Sequence, residues 1–124
     1  DSTFAAALFL EMLVVMNKSV SEIVKEVRDF ANFYHVDIES FISYRDEEKV
    51  INYLNNEEIT FPDKVVKVER FGRNIKYLFA NDSWILLRRS GTEPVLRIFV
   101  EMETKEKAEE YINILKKYVK DIDN

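Results

Sequence analysis

At 124 residues and 14.7 kDa the chain has room for one domain with a helical appendage, not for two domains with separate cores. Its only glycines, Gly72 and Gly91, lie too far apart for a G-x-G-x-x-G turn or a G-x-x-x-x-G-K loop, the absence of cysteine removes disulfides and thiolate sites, and the single His35 forms no H-E-x-x-H pair. A composition of 47% apolar and 33% charged residues predicts a soluble globular protein without a membrane span, and a net charge of −5 argues against a general nucleic-acid binder.

The chain opens on Asp1-Ser2-Thr3-Phe4, which reads as a helix start and, with no initiating methionine, as a piece cut from a longer protein. From Phe4 to Met16 this helix is apolar almost all round, with Glu11 its one charge, so it is expected to seek burial on most of its surface. It is too short to span a bilayer, and no basic segment precedes it as in a signal peptide. A second helix starts at Ser19, where Ser19-Val20-Ser21-Glu22 has capping-box spacing, and Val20, Ile23, Val24, Val27, Phe30 and Ala31 form its apolar stripe. The period changes after Phe33, predicting a strand over Val36 to Ile42 and a change of domain near residue 33. Asp46 caps a short helix to about Asn56 with Val50, Ile51 and Leu54 inward.

Four strands are then predicted, Val65 to Phe71, Ile75 to Ala80, Trp84 to Arg88 and Val95 to Met102, with turns at Gly72-Arg73-Asn74 and Asn81-Asp82-Ser83 short enough for antiparallel pairing. Tyr77, Phe79 and Trp84 are assigned to the sheet core. Thr104 caps a last helix carrying Ala108, Tyr111, Ile112, Leu115, Tyr118, Val119 and Ile122 on one face. The order predicts an α+β fold, a four- to five-stranded, mainly antiparallel sheet with helices on one face, preceded by two helices.

Arg88-Arg89-Ser90-Gly91-Thr92-Glu93-Pro94 separates two strands that a tight hairpin could have joined. As an anion site it has a physical logic. Gly91 can take positive φ and turn backbone N–H groups inward as a nest. Ser90 and Thr92 add hydroxyl donors, Arg88 supplies a planar fork from the end of a strand, and Pro94 fixes φ where the chain re-enters the sheet. On composition alone an ordinary Ser-Gly-Thr turn with charged flanks accounts for the loop equally well.

The string RRSGTEPVLRIFVE resembles the R-P-S-G-T-E-P-x-x-R-x-Y-x-E signature of the α-D-phosphohexomutases, the phosphoglucomutase and phosphomannomutase superfamily. The upstream DSTFAAALFLEML and NKSVSEIVKEV are similar to the closing helices of that family's third domain, so the resemblance covers essentially the whole chain. It departs from the pattern at Arg89, where the family has proline, and at Ser2-Thr3, where Gly-Ile is common.

The resemblance implies that residues 1–33 are a remnant of the third domain and residues 34–124 the fourth, C-terminal domain, with a TATA-binding-protein-like fold. It implies a cytoplasmic parent enzyme, consistent with the lack of cysteine, that interconverts hexose 1-phosphate and hexose 6-phosphate through a bisphosphorylated sugar. A phosphoserine of the first domain and a Mg2+ ion held by the second would act there. Neither motif lies in this chain, which is expected to bind no metal or other cofactor and to be inactive alone. Its partners would be the phosphosugar and domains 1 to 3, with self-association through the orphaned N-terminal helix, and no nucleic acid or membrane.

By the same resemblance Arg88, Ser90, Gly91 and Thr92 bind the substrate phosphate. Arg97 has two readings, reaching back to the phosphate or pairing with Glu101 on the same strand face. Glu93 would shape the loop by accepting hydrogen bonds, with Pro94 beside it, and Arg89 would face solvent. The alternative function is a small interaction or ligand-sensing module, which would not require the R-x-S-G-T loop.

Overall fold

In the computed structural model, which describes residues 1–124, the chain divides into two units, Asp1–Tyr34 and His35–Asn124. In the first, the Asp1 carboxylate caps α1 (Ser2–Met16) by accepting from the Thr3 N–H at 2.9 Å. The helix ends at Asn17, which takes the left-handed conformation at φ 50, one that asparagine tolerates. Ser19 and Glu22 form the expected capping box of α2 (Val20–Ala31), which ends on a second left-handed asparagine, Asn32. No residue of either helix is buried, and Phe30 is 95% exposed. Thirty-four residues in two helices are too few to enclose the apolar surface that α1 carries. No single helix in the chain is long and apolar enough to cross a membrane.

The second unit is built on one sheet in the order β1-β5-β4-β3-β2, with every neighbouring pair antiparallel. Its strands are β1 (Val36–Ser43), β2 (Val65–Phe71), β3 (Asn74–Phe79), β4 (Trp84–Arg89) and β5 (Val95–Met102). β2 and β3 are joined by the two-residue turn Gly72-Arg73, with Gly72 at φ 57, a left-handed conformation that a side chain would strain. Asp82, at φ 63, turns β3 into β4.

Alternation along these strands sends Ile75, Tyr77, Phe79, Ile85, Leu87, Leu96, Ile98, Val100 and Met102 to one buried face. That face is closed by α3 (Glu47–Asn56), through Val50 and Leu54, and by α4 (Lys105–Asp123), through Ala108, Tyr111, Leu115 and Val119. The α+β layering expected from the element order is therefore what forms, with both helices on the same side of the sheet.

Two polar clusters pin helix ends. The Asp123 carboxylate, at the end of α4, accepts from the Arg45 and Asp46 N–H groups at 2.9 Å and so anchors the start of α3. Near the start of α4, Lys107 pairs with Asp63 at 2.6 Å and Glu103 at 2.9 Å, while the Tyr111 hydroxyl donates to Asp63 at 2.7 Å. This holds the connection after Pro62 against the helix.

Trp84 departs from expectation. The run Trp84-Ile85-Leu86-Leu87 is apolar on both faces, and the register puts Trp84 opposite Glu101, on the face away from the helices. There it is half-buried, with the Lys76 ammonium 4.6 Å from its ring centroid, a cation–π contact and not core packing.

Candidate functional site

The sheet ends at the Ser90–Pro94 loop, and its last row of side chains on the open face is set by register. Arg97 of β5 lies directly opposite Arg88 of β4, which in turn lies opposite Asn74 of β3. Two like charges facing each other across antiparallel strands destabilise the pair unless something neutralises them. Arg97 is partly compensated by Glu39 at 3.4 Å, an exposed pair of small worth. The surface partner expected for Arg97 is Glu101, but the pair formed is with Glu39 of the neighbouring strand, and Glu101 instead lies 3.9 Å from His35 Nδ1. Arg88 is exposed and has no carboxylate within ion-pair distance.

The loop is folded by a serine hydroxyl. The Thr92 and Glu93 N–H groups both donate to Ser90 Oγ, at 3.4 and 3.3 Å. The Ser90 N–H donates to the Val95 carbonyl at 2.9 Å, and the Val95 N–H to the Glu93 carbonyl at 2.8 Å. With the reversal made this way, no left-handed residue is needed, and Gly91, contrary to expectation, is not at positive φ. The shaping role assigned to Glu93 falls to its backbone, because its carboxylate makes no hydrogen bond or ion pair. The Pro94 carbonyl accepts from the Tyr44 N–H at 3.1 Å, tying the loop to the chain just after β1. The Gly91 N–H and the Thr92 hydroxyl make no hydrogen bond within the chain.

Arg89 does not face solvent as expected. Paired with Leu96, it points to the helix side, where its half-buried guanidinium lies 3.4 Å from Glu47 of α3. Tyr44 is buried there with its hydroxyl lacking a hydrogen-bond partner. Burial first, then the Glu47 charge, push its ionisation upward, while Arg89 and Arg73 oppose this. Sequence reading missed Arg73, whose Nη1 donates to the Ser90 carbonyl at 3.3 Å. Its proximity follows from the two-residue turn and the β3–β4 register, neither of which composition reveals.

A Cβ built at Gly91 would meet only that Arg73 nitrogen, at an ordinary 3.8 Å, whereas Gly72 has open space but a left-handed φ. Gly91→Ala is therefore expected to change stability by no more than about 0.5 kcal/mol, and Gly72→Ala to cost about 1 kcal/mol. Thermal melts of the two variants check this, and the reverse order would contradict the loop conformation.

No group of three or more histidine, aspartate or glutamate side chains is placed to hold a metal ion. A groove of about 990 Å³ lies away from the loop, between α3 and α4, but its lining mixes Lys49 and Lys117 with Glu57 and Asp121 and concentrates no charge for an anion.

Residues 47–117 match the family model described as phosphoglucomutase/phosphomannomutase, C-terminal domain. The chain is 32% identical over 127 residues to a probable phosphoglucosamine mutase of Pyrococcus abyssi, covering 98% of this chain and 25% of that protein. Against the phosphoglucosamine mutase of Bacillus subtilis it is 30% identical, over 91% of this chain and 21% of the relative. Against the phosphoglucomutase/phosphomannomutase of Thermococcus kodakarensis it is 28% identical, over 92% and 23%. The chain thus spans about a quarter of the length of these curated relatives. With the matched stretch running from α3 into α4 and enclosing the whole Arg88–Pro94 loop, the chain belongs to the phosphoglucomutase/phosphomannomutase C-terminal domain family.

Proposed function

We propose that this chain is the substrate-phosphate-binding part of a phosphohexomutase, and that its Arg88–Pro94 loop grips the phosphate that is not reacting. The observation that carries the reading is the Arg88–Arg97 pair. The two arginines stand opposite each other across β4 and β5 at the foot of the loop, and Arg88 has no carboxylate to neutralise it. A phosphate dianion supplies the missing charge and accepts the planar fork of Arg88 bidentately. The Gly91 N–H and the Thr92 hydroxyl are further donors not used within the chain. Ser90 Oγ spends its lone pairs on two backbone N–H groups, which leaves its O–H to donate.

All these groups recognise phosphate and none recognises a sugar ring. A grip of that kind accepts either end of a bisphosphorylated hexose, as a mutase requires when its intermediate turns over. Holding the remote phosphate orients the reacting end for in-line transfer, so binding energy far from the chemistry is expressed as rate. Residues 1–33 would be the closing helices of the third domain, and the sheet unit the fourth. A Mg2+ ion in the parent would supply charge stabilisation at the transferring phosphoryl group, held by residues outside this chain. The relatives' names include both phosphoglucosamine mutase and phosphoglucomutase/phosphomannomutase, and a loop that reads phosphate suits any of these substrates.

Titration of the chain with glucose 1-phosphate, followed by amide chemical shifts, is expected to move Ser90, Gly91 and Thr92 first. Shifts confined to other parts of the sheet, or none at millimolar ligand, would sink the proposal.

A further inference from the structure

We infer that Arg73, in the hairpin between β2 and β3, is a positioning residue for the loop, one that sets which end of the Ser90–Gly91 peptide a phosphate meets. The inference rests on the phosphate reading above. A trans peptide is planar, so its C=O and N–H point in opposite directions. Arg73 donates to the Ser90 carbonyl at 3.3 Å. With that carbonyl held on the Arg73 side, the Gly91 N–H of the same plane is turned away from Arg73 and left as a donor.

Without the clamp, rotation of this one plane would exchange a donor for a carbonyl oxygen, whose partial negative charge repels an anion. Nothing else in the loop prevents the rotation, because the Ser90–Gly91 peptide makes no other hydrogen bond. Its neighbours are fixed independently, by Ser90 N–H to Val95 and by Thr92 and Glu93 N–H to Ser90 Oγ.

Arg73 is well placed for this. Its own carbonyl accepts from the Arg89 N–H at 3.2 Å, so backbone and side chain bracket the base of the loop from one residue. The left-handed Gly72 fixes the turn that presents it. No carboxylate competes for its guanidinium. Gly91 has no side chain to press on it, and Nη1 already lies 3.8 Å from the point where a Cβ would stand.

The test is a titration of the 124-residue chain with inorganic phosphate, read by amide shifts, for wild type and three variants. Arg73→Met is expected to weaken phosphate binding roughly tenfold, the size of losing one charge-assisted contact, and to abolish the phosphate-induced shift of Gly91 selectively. Arg73→Lys, which keeps a charged donor, should restore most of both and serves as the readout if the methionine variant disturbs the hairpin.

Arg70→Met removes the same charge from β2, at a residue with no hydrogen bond to the loop, and should change affinity less than threefold. Equal losses in Arg70→Met and Arg73→Met would overturn positioning in favour of a bulk charge effect. Wild-type affinity in Arg73→Met with the Gly91 shift intact would overturn it outright. A wild-type chain whose loop amides do not respond to phosphate would instead bring down the phosphate reading, and this inference with it.

Discussion

Replacing Arg88 by methionine should make the protein slightly more stable and nearly unable to bind phosphate. The two effects have one origin. Arg88 faces Arg97 directly across β4 and β5, and no carboxylate pairs with it. Like charges in that position cost up to about 1 kcal/mol, so removing one while keeping the length of the side chain should raise the thermal midpoint by up to about 4 °C. Arg97 keeps its contact with Glu39 and has no reason to move. Under the proposed phosphate-binding role, the same change deletes the planar fork offered to the anion, and hydrogen bonds to charged groups are worth about 1.5–3 kcal/mol. Phosphate affinity should therefore fall by about ten- to a hundredfold. Melting curves in buffers with and without phosphate separate the two effects: without phosphate the variant should melt above wild type, and with it below. A variant less stable than wild type in phosphate-free buffer would mean that Arg88 is structural and the repulsion argument is wrong.

That opposition of stability and binding lies in a register, and register is where sequence reading ran short. The alternation of the buried Leu96, Ile98, Val100 and Met102 with the less buried Arg97, Phe99 and Glu101 made β5 legible, and caps at Asp46 and Thr104 placed the starts of α3 and α4. Trp84 was not legible, because a strand apolar at four successive positions does not say which parity faces the helices. The side taken by Arg89 was hidden for the same reason, and its ion pair with Glu47 depends on where α3 crosses the sheet. β1 pairs with β5 at the sheet edge through a long-range return that no turn signal announces.

The loop itself was legible as a cluster of donors, but its geometry was not. A glycine among polar residues suggested a left-handed turn, whereas the Ser90 hydroxyl performs the reversal. Arg73 could have been found only by combining the two-residue hairpin with the β3–β4 register. α1 shows the opposite case. Its sequence asks for burial, and the unit Asp1–Tyr34 does not provide it, since two helices alone have too little surface to cover that helix.

Truncating Tyr111 should be the most damaging single change to the sheet unit. The residue is fully buried in α4, its ring stacks on Phe61 with centroids 5.4 Å apart and meets the edge of Phe79 at the same distance. Tyr111→Ala is expected to cost about 3–5 kcal/mol, a large part of the stability of a small domain. Tyr111→Phe keeps the ring and isolates the hydroxyl, which donates to the Asp63 carboxylate at 2.7 Å and accepts from the Asp63 N–H at 2.9 Å. Because Asp63 is partly solvent-exposed, this loss should be about 1–2 kcal/mol at neutral pH.

Its pH dependence distinguishes the two contacts. The Asp63 carboxyl is held below its usual range by hydrogen bonds first from Lys107 and then from Tyr111, and Glu103 is held low by Lys107. A carboxyl whose folded value is depressed adds stability above its unfolded value, and that stability is lost as pH falls through the folded value. Wild type should thus weaken below about pH 4, and the gap between wild type and Tyr111→Phe should narrow, since a protonated Asp63 gains less from the hydroxyl. On the alkaline side burial, helped by Asp63, pushes Tyr111 up to about 12, above the ordinary 10.0. Stability tied to its neutral form is present below pH 10 and lost as the pH climbs towards 12, so the phenylalanine variant should lose less there. Denaturant titrations of both proteins from pH 2 to pH 11 would show it. A gap that stays constant from pH 2 to pH 7 would place the hydroxyl's whole contribution in the Asp63 N–H bond and none in the carboxylate.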